Sequence, residues 1–229
     1  DLLPLRQTFA ARNVVPPAAL LNAIDRMMLM LRSFRHGDGQ LALFNGMSAT
    51  PTDQVATVLA YDDDRGAPMA NMPHSGYQRL DAGTVTVLVD TGLPPPPALS
   101  QDAHAGCLSF EMSSGIHRII VNCGVPPAGR DGWHDFARAT SAHSTLCFHE
   151  TSSCEFIGRG AMKRLLHGAP IISGPTNVEA RRENLAEGVF LTAMHDGYAR
   201  HFDIVHRRTL MLANDGARLS SRGYARLLE

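Results

Sequence analysis

Thr84 to Val89 reads TVTVLV, Cys107 to Met112 reads CLSFEM and Arg118 to Asn122 reads RIIVN, and these three runs decide the fold. Apolar and β-branched residues dominate with a period of two, and Gly or Pro turns bound each run, which is the pattern of short strands. Further strand candidates are Ser144 to His149, Cys154 to Ile157, Ala169 to Ser173, Asn177 to Arg181, Val189 to His195, Ile204 to Leu212 and Arg218 to Ser220. Strands about ten residues apart leave no room for the long crossovers of parallel pairing. The expectation is a mainly β chain with one or two N-terminal helices, folded as an antiparallel β-sandwich or barrel, of which the β-sandwich (supersandwich-like) is the form carried forward.

Upstream, the period changes. Leu20, Leu21, Ile24, Met27, Met28 and Leu31 recur at helical spacing between Pro17 and His36, and Gly37 and Gly39 stop the pattern. A second helix is expected from Thr52, read as its N-cap, to about Tyr61, ahead of the acidic turn Asp62-Asp63-Asp64. A short helix around Trp133 to Arg138 interrupts the β region. Residues 1–39 are therefore read as a helical segment and 40–229 as the sandwich. The tetraproline Pro94 to Pro97 cannot lie inside a sheet and is expected to be an extended linker. Because the chain starts at Asp1 and ends soon after a strand-like run, it is expected to be a piece of a longer protein, its sandwich truncated at the C-terminus. Open sheet edges would then favour homo-oligomers.

With 21 basic and 22 acidic residues the net charge is −1, which argues against nucleic acid or an anionic membrane as a partner. No run approaches the roughly 18 to 20 apolar residues of a membrane span, and no secretory leader opens the chain, so it is expected to be soluble. Cys107, Cys123, Cys147 and Cys154 lack CxxC spacing, which removes zinc-ribbon and thioredoxin readings. They are read as buried free thiols in apolar runs. The alternative is a Cys147–Cys154 hairpin bridge, which would belong to an oxidising compartment.

The 11 histidines are scattered, and spacing selects among them. His104 shares parity with Leu108 and Phe110, so its side chain is expected to face the packed side of a sheet. Asn122 ends the next strand, which a hairpin would return beside His104, and His143 opens HSTLCF. Three such strand-end side chains could converge on one metal ion, zinc being the match for two imidazoles. The plainer reading has each histidine donating to a nearby carbonyl while Asn122 caps the turn before Gly124.

These stretches resemble a known family, the heparinase II/III-like polysaccharide lyases. MPHSGYQRLDAG at Met72 to Gly83 resembles that family's PDGGYYVLR strand, continued by VLVDTG at Val87 to Gly92. DAHAGCLSFEM at Asp102 to Met112 is similar to HGHADALSFEL, IIVNCG at Ile119 to Gly124 to LLVDPG, and RATSAHSTLCF at Arg138 to Phe148 to RSTAAHNTVVV. The order and spacing of the motifs agree, and the resemblance runs from about Leu41 to Arg208.

The resemblance implies an α/α toroid followed by an antiparallel sandwich, so the Ala18 to Arg35 helix would be the toroid's last remnant, with the rest of the toroid a partner in the same chain. It also implies zinc ligands at His104, Asn122 and His143, with Asn122 standing where the family has an aspartate, and a periplasmic location, the alternative being cytoplasmic. Uronate β-elimination requires neutralisation of the substrate carboxylate, a base and an acid. The first histidine of the family's HxHxD pattern, at the active centre of its lyases, is Asp102 here, and the pattern's aspartate is Gly106. No catalytic residue is assigned. Arg200, His206, Arg207 and Arg208 are the candidates for contact with an acidic polysaccharide. Two functions are expected on this basis. One is the β domain of a lyase acting on an acidic, uronate-containing glycan and inactive as an isolated fragment. The other is a non-catalytic structural or glycan-binding sandwich of a degenerate lyase homologue.

Overall fold

The computed structural model describes residues 2–62, 66–125, 131–158 and 169–227. Two of the three acidic-turn residues, Asp63 and Asp64, lie outside these. Helices α1 (Leu2–Ala11), α2 (Ala18–Ser33) and α3 (Thr52–Leu59) precede the sheets. A five-stranded sheet follows, formed in chain order by β1 (Asn71–Met72), β2 (Tyr77–Ala82), β3 (Val85–Asp90), β4 (Phe110–Ser114) and β5 (His117–Ile120). After α4 (Asp131–Arg138), β6 (Glu155–Phe156) and β7 (Ile171–Ser173) make a small ribbon. The second large sheet has β8 (Val178–Leu185), β9 (Gly188–His195), β10 (Ile204–Ala213) and β11 (Leu219–Leu227), with α5 (Ala199–Phe202) between β9 and β10. Every strand pair is antiparallel, as expected.

The TVTVLV run explains the layering. All six residues of β3 are buried, because this strand is covered on both faces. Its odd positions Val85, Val87 and Val89, with Leu80 and Phe110, meet Leu191, Leu210 and Leu212 of the other sheet. Its even-numbered Leu88 packs the other way, with Met72, Tyr77, Ala42 and Phe44, under Met30 and Phe34 from α2 and its C-terminal end. Successive residues point to opposite faces, and burial of both sets, Val85, Val87 and Val89 on one and Thr86, Leu88 and Asp90 on the other, places β3 in the middle layer.

Helix α2 is fixed to that layer by one buried cation. Arg79, on the helix side of β2, donates from Nη1 to the carbonyls of Ser33 (3.0 Å) and Arg35 (2.7 Å) at the end of α2. Its Nη2 donates to Thr86 Oγ1 at 3.1 Å and its Nε to Asp81 at 2.6 Å. A helix C-terminus leaves carbonyls without intrahelical donors and carries partial negative charge, so a guanidinium there satisfies both needs.

Several boundaries differ from expectation. The segment Ser144 to His149 is not a strand, because side chains replace the ladder there. Ser144 Oγ accepts from Phe110 N at 2.9 Å and donates to Phe110 O, while Thr145 Oγ1 donates to Cys107 O at 2.9 Å. The strand in CLSFEM starts only at Phe110, since Leu108 has a left-handed φ of 59° that breaks the alternation assumed for His104. Thr52 is the first helical residue of α3 and Pro51 is its cap, with no side-chain capping bond. All four cysteines are free, so the Cys147–Cys154 bridge is absent, and Cys123 is exposed where burial was expected.

Replacing Arg79 with Gln is expected to cost about 3 kcal/mol, the worth of one or two buried charge-assisted hydrogen bonds. The check is the urea midpoint, alongside faster proteolysis within residues 18–35. A midpoint unchanged from wild type would show that α2 is held without it.

Candidate functional site

Two loops build the site. The loop before β4 carries His104, and the loop after α4 carries His143; Arg138 and Thr140 lace the two together. Arg138, 1% exposed, donates to the carbonyls of Ala103 (2.7 Å) and Ser100 (2.8 Å), and its guanidinium lies 4.4 Å from the Phe156 ring centroid. Ala105 N donates to Arg138 O at 2.9 Å, and Thr140 Oγ1 donates to Ala105 O at 2.7 Å. Gly106 completes the approach, because a Cβ there would lie 3.0 Å from His143 Cδ2.

His104 and His143 therefore meet directly, with His104 Nδ1 and His143 Nε2 3.0 Å apart. The network assigns the tautomers. The Ala139 carbonyl can only accept, and it lies 2.8 Å from His143 Nδ1, so that nitrogen carries the proton. Burial pushes both imidazoles towards the neutral form, His104 down to about 3, and His143 in the same direction. A neutral His143 has a bare Nε2, so His104 Nδ1 donates to it. His104 Nε2 is then a bare lone pair, buried and without a partner among the described residues.

Asn122 lies beside this pair but is engaged elsewhere. Its Oδ1 accepts from Ser144 N at 3.1 Å, and its own backbone N–H donates to Glu111 Oε1 at 3.0 Å. Glu111 is wholly buried and also accepts from Leu43 N (3.0 Å) and from Arg118 Nη1 (2.9 Å), with His36 Nε2 3.3 Å away. So the three residues expected to share a metal are neighbours, but only the two imidazoles bond to each other. Among the described residues no group of three or more His, Cys, Asp or Glu is placed to hold a metal ion.

The residues expected to bind a glycan do not form one patch. Strand alternation turns His206 and Arg208 inward and Arg207 outward. His206 is 0% exposed, and its Nδ1 lies 3.2 Å from His195 Nε2. Arg208 donates to the carbonyls of Leu108 and Ser144, both at 2.6 Å, and only burial lowers it, to about 10. Arg200, on α5, stands 3.6 Å from Glu155 instead. Asp102 is exposed, with His134 at 3.9 Å.

Sequence reasoning missed Glu111, Asp90, Arg138 and the His195–His206 pair. Glu111 had a signal, a lone acid inside the apolar run CLSFEM. The histidine pair had none, since it depends on the register that sets His206 opposite His195.

With this geometry in hand, comparison with known proteins gives the class. Residues 64–221 match the model of the family described as heparinase II/III-like, C-terminal, and the chain belongs to that family. It is 36% identical over 212 residues to FtsZ-localized protein C of Caulobacter vibrioides, an alignment covering 93% of this chain and 36% of that protein. Among solved structures it resembles a heparinase III at TM-score 0.65 and 13% identity, covering 91% of this chain and 33% of the other. It also resembles the heparan sulfate lyase HepC of Pedobacter heparinus at TM-score 0.64 and 14% identity, covering 93% and 34%. The chain thus spans about a third of the length of these relatives.

The His195–His206 pair makes stability depend on pH. Burial, followed by cationic or imidazole neighbours, lowers His206 to about 3, and burial lowers His195 to about 4. Unfolded histidines titrate near 6.5, so between about pH 6.5 and 4 the unfolded chain binds more protons and the folded state loses stability as pH falls. Above about pH 6.5 that stabilisation is complete. Urea unfolding at pH 7 and pH 4.5 should differ by on the order of 3 kcal/mol. The His195→Gln, His206→Leu double variant should shrink the difference, leaving the part that His104 and His143 contribute by the same mechanism; an equally steep fall in that variant would remove the pair as a cause.

Proposed function

We propose that the chain is the sandwich portion of a degenerate heparinase II/III-like protein that binds an acidic glycan without cleaving it. The observation that carries this reading is Asp102. It stands where the family's lyases have the first histidine of HxHxD, and its side chain is 80% exposed and acidic. A carboxylate at this position repels the carboxylate of a uronate, whose neutralisation β-elimination needs. Its neighbour in the pattern, His104, is bonded to His143. The name of the Caulobacter relative adds a setting: this protein, too, would work where FtsZ assembles.

A second reading, retained lyase activity in the longer protein, is favoured by the likeness to two heparin-type lyase structures. The test is to incubate the full-length protein with heparan sulfate, chondroitin sulfate and alginate and follow the absorbance of unsaturated uronate. The expected result is saturable binding of at least one polymer with no absorbance change. Turnover of any of the three would establish the lyase reading instead.

The same geometry bears on zinc. A tetrahedral zinc site would need His104, His143 and a third donor at about 2 Å. Here the oxygen of Asn122 is committed to Ser144, among the described residues no carboxylate joins the two imidazoles, and His104 Nδ1 bonds to His143 Nε2. We read these donors as a hydrogen-bonded pair in place of an ion site. Elemental analysis of protein purified without chelators should find well below one zinc per chain; stoichiometric zinc would overturn this.

A further inference from the structure

The second large sheet has two faces of unlike character. Strand alternation points Leu191, Leu210 and Leu212 into the core against β3, and turns the other set of residues away from it. The registers arrange that outer set in rows across the sheet. One row runs Glu179, Met194, Arg207, Tyr224 from β8 to β11, and the next runs Arg181, Thr192, Thr209, Arg222. Along β11, Arg222, Tyr224 and Arg226 follow at every second residue, which sets the two arginines about 13 Å apart on one side of an extended strand.

Arg207, Arg222, Tyr224 and Arg226 are all exposed. The acids of this face lie on β8, and both are engaged there. Glu183 accepts from Arg181 at 3.0 Å, and Glu179 from Asn177 Nδ2 at 3.1 Å. Asp203 and Asp215 stand in the turns at the two ends of β10. Among the described residues no carboxylate pairs with Arg207 or Arg222, so the β10–β11 half of the face is cationic although the whole chain carries −1.

Charge on an edge strand can serve only to prevent pairing with other strands, and that would account for β11 by itself. It does not account for Arg207, which lies one strand in, nor for the Tyr224 ring directly opposite it with 41% of its surface exposed. Arginine beside tyrosine is the composition of a recognition surface, because both present flat, hydrogen-bonding groups that lose little freedom on binding. A guanidinium fork matches a carboxylate or a sulfate, and a track of this length suits an extended chain better than a single ion. We propose that this outer face, along β10 and β11, binds an acidic polysaccharide, with Arg207, Arg222 and Arg226 on its anionic groups and Tyr224 against a sugar ring. The proposal rests on the glycan reading above and gives it a place in the fold, on the side of the sheet opposite His206 and Arg208.

The test measures the affinity of the full-length protein and its variants for heparan sulfate, chondroitin sulfate and alginate. Arg207→Ser and Arg222→Ser should each weaken binding by about threefold and the double variant by about tenfold, the scale of exposed ion pairs. Arg200→Ser removes the same charge elsewhere and should leave the affinity unchanged. Added salt should weaken the wild type more steeply than the double variant. A wild type that binds none of the polymers overturns this surface together with the glycan reading. A double variant that binds as tightly as a binding wild type overturns the surface alone, and so does an equal loss in Arg200→Ser. A DNA oligonucleotide competing on equal terms with the glycan would also overturn it. Loss of self-association in the double variant with glycan binding intact would assign the face to a second copy instead. Should the double variant fail to fold, protection of Arg207 and Arg222 from an arginine-modifying dicarbonyl in the wild-type complex decides.

Discussion

A carboxylate with no exposed surface organises this molecule. Glu111 sits on β4 and receives Leu43 N from the segment after α2, Asn122 N from the end of β5, and the guanidinium of Arg118 from β5 itself. Removing an ion of this kind from water costs several kcal/mol, and the cost is offset only when its oxygens are fully engaged. Glu111 meets that condition by drawing two other stretches of chain to its own strand. Asn122, held there by its amide, uses its side-chain oxygen to hold Ser144, the residue next to His143. The position of the imidazole pair thus follows from the burial of one acid.

The remaining polar interior obeys the same logic with different groups. Arg79 satisfies the end of α2, and Arg138 satisfies the carbonyls of Ser100 and Ala103 ahead of His104. Two imidazole pairs, His104–His143 and His195–His206, are each oriented by a backbone group, a carbonyl in the first and the Gly197 amide in the second. The backbone partner decides the direction of donation. His104 is left with a bare lone pair, whereas Gly197 N–H forces the His195 proton to Nε2 and so leaves His206 with an N–H that is unpaired among the described residues. Two pairs of the same residue type thus end in opposite hydrogen-bonding character.

How much of this was legible from residues alone varied with the physics. TVTVLV announced a strand through its β-branched residues and the valines at every second position, but its burial on both faces was not legible, because Thr84 and Thr86 share the other parity with Leu88. Strand β2 was visible only through the family resemblance, since Arg79 and Asp81 interrupt its apolar pattern. Strand β11 runs to nine residues where only Arg218 to Ser220 was expected, because it is mostly exposed and polar, and its strand character comes from pairing with β10. The motifs located His104 and His143 although the strands assumed to deliver them are loops. Ser144 and Thr145 looked like strand residues but use their hydroxyls on neighbouring backbone. The grouping of Arg200 with His206 to Arg208 failed because alternation sends consecutive residues to opposite faces. Asp90 and Glu111 become meaningful only once burial without or with a cation can be seen.

The most direct test of the role of Glu111 is a single variant read two ways. Glu111→Gln retains one carbonyl oxygen but sets an amide against Arg118 and His36, so the account predicts a loss of about 3–5 kcal/mol in urea unfolding, as for a broken buried ion pair. The imidazole signals of His104 and His143 should shift in the same sample. A variant within about 1 kcal/mol of wild type, the scale of an ordinary neutral hydrogen bond, with unchanged imidazole signals would contradict it.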